Sequence, residues 1–317
     1  MINAKHIILG AGGAIGNVLA DELVSRNEKV TLVGRTRHSR PGVETALADL
    51  SISEHVNRVI EESSTVYLLA GLQYKLSDWQ EFWPKIMQNT ITACKTKNAK
   101  LVFFDNVYMY GRVHGAMTED TPYNPCSKKG EVRAKIADQL MSEAKAGNIK
   151  ALIARSADFY GPYSEKSSVP FFLVIKRLAD GKKAQWLVNA RSNHSFTFTG
   201  DCGKALYLLA MSDDAINQVW HLPTASPPIT GEQLIRIAAE YLGKKSEYAI
   251  LSKWKIRIGG IFNYTIRESY EMLYQNEYDY IFDSSKFERK FGLKPTSYRT
   301  GIIETLEHFR QRGIINK

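Results

Sequence analysis

The chain is short of the features that mark several classes of protein. It has three cysteines, Cys94, Cys126 and Cys202, far apart in sequence. They form neither a disulfide framework nor a metal-ligand pattern, and they fit a reducing, cytoplasmic setting. The seven histidines are scattered too. None makes a His-x-x-x-His pair or stands at ligand spacing from Cys or Asp, so no metal centre is expected. No apolar run is long enough to cross a bilayer. The first residues lead straight into a strand pattern, so no signal peptide is expected. Internal repeats and low-complexity tracts are missing. What remains is an ordinary globular composition, 44% apolar and 24% charged, in a chain of 317 residues, enough for one large or two modest domains.

Charge balance is missing as well: the formal net charge is +9. The basic residues are scattered rather than gathered in one tract, so nucleic acid is not expected as a partner. A phosphate-rich small molecule accounts for part of the excess. Lys253 to Arg257 is basic, and Trp254, Phe262, Tyr264, Tyr270, Tyr274, Tyr278 and Tyr280 crowd the same region. A basic amphipathic helix there would lie on a lipid surface. The sequence favours a lobe packed over a bulky substrate or a subunit contact, so no membrane partner is expected.

What is present begins at Lys5 to Arg35. The apolar run His6 to Leu9 is followed by Gly10, Gly13 and Gly16, then by an apolar-periodic segment from Ala14 to about Arg26, then by Val30 to Val33. That is strand, glycine turn, helix, strand. Such glycines let the backbone close on a pyrophosphate, which sits on the amides of Ala14, Ile15 and Gly16 at the positive end of the helix. Arg35 ends the second strand. An Asp or Glu there would accept bonds from free ribose hydroxyls; an Arg suits a 2′-phosphate, with Arg37 and Arg40 near it in sequence. NADP is therefore favoured over NAD.

The strand–helix alternation continues. Asp49-Leu50 stands where a side chain reaches the adenine edge, or where Asp49 caps the following turn. Thr65 to Ala70 is a buried strand ending at Ala70-Gly71, and Trp79 to Lys97 is a long helix. Leu101 to Phe104 is a strand ending at Asp105-Asn106. A helix follows from Lys128 to Ala146, then a strand from Ala151 to Arg155. This predicts an α/β fold, a Rossmann-like doubly wound parallel sheet whose strand ends converge on one crevice. Beyond Gly161 the pattern weakens. Helices are expected over Val169 to Ala179, over Asp201 to Met211 with Asp201 as N-cap, and over Glu232 to Tyr241 with Thr230 as cap.

GAGGAIG at 10–16, Ala70-Gly71, Tyr110-Gly111, Arg155, Tyr160-Gly161-Pro162 and FTFTGDCGKAL at 196–206 occur together. This set resembles the extended short-chain dehydrogenase/reductase family, in its branch of NAD-dependent epimerases and dehydratases. The resemblance implies a dinucleotide-binding domain of residues 1–157 plus 190–213 and a substrate lobe of 158–189 plus 214–317. It also implies a small-molecule, sugar-like substrate, often nucleotide-linked, and a homodimer.

The family places Ser or Thr where Asn106 stands here. It opens the next helix with Tyr-x-x-x-Lys, the Tyr moving the proton and the Lys holding the ribose. This chain aligns Lys129 with that Tyr and Arg133 with that Lys. Hydride transfer needs a proton carrier at the reacting oxygen. Arg133 suits the ribose but shuttles protons poorly. Lys129, Tyr108 and Tyr160 are the candidates for the proton, and Asn106 for orienting the oxygen. Cys126 has no base partner and is read as a pocket-lining or surface residue. Two functions follow: an NAD(P)-dependent oxidoreductase or epimerase acting by hydride transfer at a hydroxyl or carbonyl carbon, or a dinucleotide-binding sensor with little or no catalysis.

Overall fold

The computed structural model describes residues 5–316. Seven strands form its centre: β1 (His6–Leu9), β2 (Val30–Gly34), β3 (Glu44–Leu47), β4 (Thr65–Leu68), β5 (Lys100–Asp105), β6 (Ala151–Arg155) and β7 (Val219–His221). They lie in the order β7-β6-β5-β4-β1-β2-β3, every pair parallel. A parallel sheet must be covered on both faces, and β1, β4 and β6 are accordingly buried throughout. On one face α1 (Ala14–Ser25) packs with a later helix, Thr199–Ala210, through Ile15, Leu19, Ala205 and Leu206. The other face carries α2 (Ser53–Val59), α3 (Leu76–Thr96) and α4 (Lys128–Lys145), through Val56, Trp83, Ile86, Ile136 and Leu140. The chain reverses its direction of travel across the sheet between β1 and β4, and the crevice opens at their carboxyl ends.

Strand β3 has no counterpart in the sequence reading. Its ETAL residues are mostly exposed, so an edge strand of this kind lacks the apolar alternation that would reveal it. Strand β7 also lies past residue 213, where the dinucleotide-binding part was expected to end; its parallel pairing with β6 extends the sheet beyond that boundary.

A separate apolar cluster joins Phe171, Trp186, Phe196, Phe198, Ile235, Ile302 and Phe309. Tyr160 belongs to it, 2% exposed. It is thus a core residue, packed against Phe196, Phe198 and Tyr298. The expected helix over Val169 to Ala179 is present across those residues, with a π-helical middle, Phe171–Ile175, and an α-helical end, Lys176–Ala179. Asp201 is not the cap of Thr199–Ala210. It sits inside the first turn and accepts bonds from the Thr296 amide (2.7 Å) and hydroxyl (2.9 Å), tying this helix to the C-terminal region. Thr230 does cap its helix, α6 counting Thr199–Ala210 as α5: it forms a reciprocal capping box with Gln233 at the start of α6 (Gly231–Leu242).

Candidate active site

At the β1 end, Gly10 has φ +119, and a Cβ there would stand 2.7 Å from the Leu69–Ala70 backbone. Only glycine allows β1 and β4 to meet so closely in that conformation. Gly13 is the N-cap of α1 and brings no side-chain cap; the first turn also has no acidic residue. The amides opening α1, at Ala14, Ile15 and Gly16, are thus left to an anion. A Cβ on Gly16 would press on the Gly10 carbonyl at 3.2 Å, whereas Gly71, just past Ala70, faces open space. A tight turn, an uncapped helix start and open ground beside them fit a dinucleotide.

Arg35 is exposed beyond β2. Arg40, which the sequence placed beside it as a helper, is committed elsewhere: it bonds the Asn17 carbonyl (3.0 Å) and side chain (3.2 Å), and pairs with Asp21. Asp49 accepts the Ser51 amide (2.9 Å) and hydroxyl (2.7 Å). Those bonds, with the charge of Arg35, hold its carboxyl below the usual range, so its side chain caps the turn. The Leu50 carbonyl accepts from Asn89 at 3.0 Å.

At the β5 end, Asp105 is completely buried. It accepts from Arg133 Nε at 2.7 Å and Nη2, and from Arg155 Nε at 3.4 Å. Arg133 lies 4.3 Å from the Trp83 ring centroid and 5.0 Å from that of Phe103. In this arrangement its guanidinium is spent inside the fold. Arg155 donates to the Tyr110 hydroxyl at 2.7 Å and to that of Tyr123. Tyr110 lies 2.8 Å from His221 Nε2, and His221 Nδ1 lies 2.8 Å from the Asp283 carbonyl. A carbonyl only accepts, so Nδ1 carries the proton and Nε2 accepts from Tyr110.

Burial pushes the His221 pKa down to about 3, and the charge of Arg155 adds to the fall. The unfolded imidazole titrates near 6.5, so below that pH the unfolded chain binds the extra proton and stability falls as pH falls. One such group contributes a slope of up to about 1.4 kcal/mol per pH unit. Urea melts between pH 6.5 and 4.5 should show this loss, and His221→Gln should flatten it. An unchanged slope in the variant removes His221 as the titrating group.

Asn106 makes a local turn, its Oδ1 accepting from the Tyr108 amide at 3.0 Å. Tyr108 stacks on Trp79 with rings 13° apart. Burial raises its phenol pKa, and Asp158 adds to the rise. Ser127 caps α4, and a Cβ on Gly130 would lie 2.6 Å from the Tyr108 carbonyl, so this glycine admits α4 against the Tyr108 turn. The next residue toward the N-terminus is Lys129, 1% exposed. Its ammonium donates to the Glu268 carbonyl (3.0 Å), the Glu268 carboxylate (2.9 Å) and the Glu271 carboxylate (2.9 Å), with the Tyr74 ring centroid at 4.7 Å. Lys129 and Arg133 are both buried rather than on a solvent face, and they enter two different networks.

Glu268 and Glu271 also reach the starts of two helices. Glu268 accepts the Leu76 amide at 2.8 Å and Glu271 the Lys128 amide at 2.7 Å. Helix α3 therefore begins three residues before Trp79 with its cap supplied from 192 positions away. Burial alone would raise the Glu268 carboxyl pKa, but the bonds from Lys129 and Leu76 outweigh it and hold it low. The sequence reading missed these two carboxylates, and also His221 and Tyr123. Nothing local marks them, because each acts across a long span of chain. Cys126, read as a pocket-lining or surface residue, is exposed. Among the described residues, no group of three or more His, Cys, Asp or Glu is placed to hold a metal. Among the described residues, no helix is long and apolar enough to cross a membrane.

Residues 6–222 match the model of the NAD dependent epimerase/dehydratase family. The chain is 26% identical over 215 residues to a dTDP-4-dehydrorhamnose reductase of Mycolicibacterium smegmatis, a match covering 64% of this chain and 59% of the reductase. It is 24% identical over 262 residues to a dTDP-6-deoxy-L-talose 4-dehydrogenase (NAD(P)(+)) of Kitasatospora kifunensis, covering 77% of this chain and 81% of that protein. Its fold superposes on UDP-glucose 4-epimerase of Thermus thermophilus, solved with NAD, with a TM-score of 0.79 at 18% identity, over 96% of this chain and 99% of that one. The dTDP-glucose 4,6-dehydratase of Bacillus anthracis, also solved with NAD, superposes with a TM-score of 0.80 at 14% identity, over 97% of each chain. This chain belongs to the NAD-dependent epimerase/dehydratase family.

Proposed function

We propose that the chain binds a nicotinamide dinucleotide across the ends of β1, β2 and β4 and acts as an oxidoreductase or epimerase, by hydride transfer at a hydroxyl or carbonyl carbon of a sugar-like substrate. The observation that carries this is the uncapped glycine-turn start of α1 in one fold with the buried ammonium of Lys129, which the resemblance aligns with the family's proton-carrying tyrosine. Family membership favours catalysis over the binding-only alternative. The relatives named above, a reductase and a dehydrogenase of dTDP-linked sugars and an epimerase of UDP-glucose, point to a nucleotide-linked sugar as substrate. Residues 158–189 and much of 214–317 would form the substrate lobe, and a homodimer follows from the resemblance.

The bound cofactor supplies the hydride chemistry. Gly10, Gly13, Ala14, Ile15 and Gly16 hold its pyrophosphate, Ala70 and Gly71 form the floor, and Asp49-Leu50 line the adenine side. Asn106 orients the reacting oxygen, and Lys129, with Tyr108 as the nearby phenol, holds or moves the proton there. For that, Lys129 must release one of its three bonds to Glu268 and Glu271. Arg133, bonded to Asp105, acts through charge unless it turns toward the ribose.

Arg35 makes no ion pair among the described residues, which supports NADP over NAD. In fluorescence titrations the protein should bind NADPH more tightly than NADH. Arg35→Asp should weaken NADPH roughly 10- to 100-fold, the worth of a charge-assisted bond to phosphate. Preference of the unmodified protein for NADH would reverse the assignment of Arg35.

A further inference from the structure

The outer face of a surface hairpin carries a second inference, one that does not rest on the proposed reaction. Helix α7 (Lys253–Phe262) turns its small or apolar side inward at Ile256 and Gly260, and α8 (Tyr264–Ser269) follows with no buried residue at all. The two pack tightly: a Cβ on Gly260 would lie 3.0 Å from the Arg267 backbone. Asn263 at the corner caps α8, its Oδ1 accepting from the Thr265 amide at 2.9 Å and the Ile266 amide at 3.3 Å. The result is a built hairpin, not a loose loop. Yet its outer face is apolar. Trp254 is 62% exposed, Ile258 49%, Ile261 72% and Phe262 86%.

These four stand at i, i+4, i+7 and i+8, within an arc of about 100° on the helix. On the same projection Lys255 borders one side of the arc and Arg257 the other. Both are exposed, and their stems are long enough to keep the charges at a headgroup level while the apolar side chains go deeper. From Ser252 to Arg267 the chain has no Asp or Glu, but it has Lys253, Lys255, Arg257 and Arg267. Among the described residues nothing covers this face.

We propose that the α7–α8 hairpin docks this protein on an anionic bilayer surface, Trp254, Ile258, Ile261 and Phe262 entering the interface and Lys255 and Arg257 meeting acidic headgroups. This is surface docking by an amphipathic helix, not insertion. Charge decides the occupant. A second copy packed symmetrically on this face would set its cations against the same cations, in a chain already carrying a net +9; an acidic membrane neutralises them. The sequence favours a lobe packed over a bulky substrate or a subunit contact for this stretch, because it cannot tell which way the aromatic side faces. Docking would also bear on the site: Ser269 ends α8 one residue after Glu268, so the hairpin continues directly into the carboxylates that hold Lys129.

The test is co-sedimentation of the full chain with vesicles of phosphatidylcholine alone, or mixed with phosphatidylglycerol, alongside light scattering without lipid. The expected result is binding to the mixed vesicles only, weakened by salt. Ile261→Asp with Phe262→Asp should abolish it, and Lys255→Glu and Arg257→Glu should each weaken it about fivefold or more. The charge variants leave the apolar face intact, so they report even if the first variant misfolds. No binding to mixed vesicles overturns the proposal. So does equal binding to both vesicle types, or a dimer that the Asp variant dissociates while vesicles bind nothing.

Discussion

Asp105→Asn should cost about 3–5 kcal/mol of folding stability, the usual cost of removing one partner from a buried ion pair. The substitution is nearly isosteric, so a cavity is not the cause. Asp105 is the carboxylate that faces both Arg133 and Arg155, and all three are buried. Without its charge and second oxygen, two guanidiniums share one amide oxygen, the Tyr110 and Tyr123 oxygens and aromatic faces, and an amide NH2 now points at one of them. Urea denaturation measures the loss. Adding Arg133→Met should recover part of it, because one stranded charge is gone and the side chain still fills the space beside Trp83 and Phe103. The double variant should therefore be more stable than the sum of the two single losses. A cost below about 1 kcal/mol for Asp105→Asn would mean that water or rearrangement satisfies the two arginines.

Lys129→Met should lower kcat by roughly 10²- to 10⁴-fold, the range for loss of a positioned proton-transfer group. Cofactor affinity should stay nearly the same, because the glycine turn is untouched. The assay is oxidation of the preferred reduced nicotinamide in the presence of 4-keto nucleotide sugars. Part of any loss will come from stranding Glu268 and Glu271, which also bind the starts of α3 and α4. Glu268→Gln separates the two effects: it keeps the shape and removes a charge without removing the ammonium, and it should leave much more activity than Lys129→Met. An unchanged kcat in Lys129→Met would remove Lys129 from the chemistry and turn attention to Tyr108.

The dinucleotide-binding half was legible because its signals are local. Three glycines between an apolar run and an apolar-periodic helix name a turn whose geometry glycine alone permits, and the later strand–helix units arrive in order. The reaction half was only partly legible. Lys129 and Arg133 stood out by departing from a pattern, and their spacing put them on one helix face, but neither fact says what each side chain meets. Tyr160 shows the limit most plainly: its neighbours in sequence suggested a pocket, and its neighbours in space are Phe196, Phe198 and Tyr298.

By itself, then, the sequence determined a doubly wound parallel sheet, the glycine turn at its switch point and the helix that starts at Lys128. Periodicity and backbone conformation are set over a few residues, where hydrogen bonding and burial of one face are decided. Only the tertiary structure decided that Arg133 is paired with Asp105 and that His221 is neutral. It likewise decided that α3 borrows its cap from Glu268 and that the apolar side of α7 faces outward. Each of these depends on groups brought together across long stretches of chain. Burial then multiplies the energy of every such encounter, since a charge or donor out of water must find a partner in the fold. Spacing along the chain cannot say which partner that is.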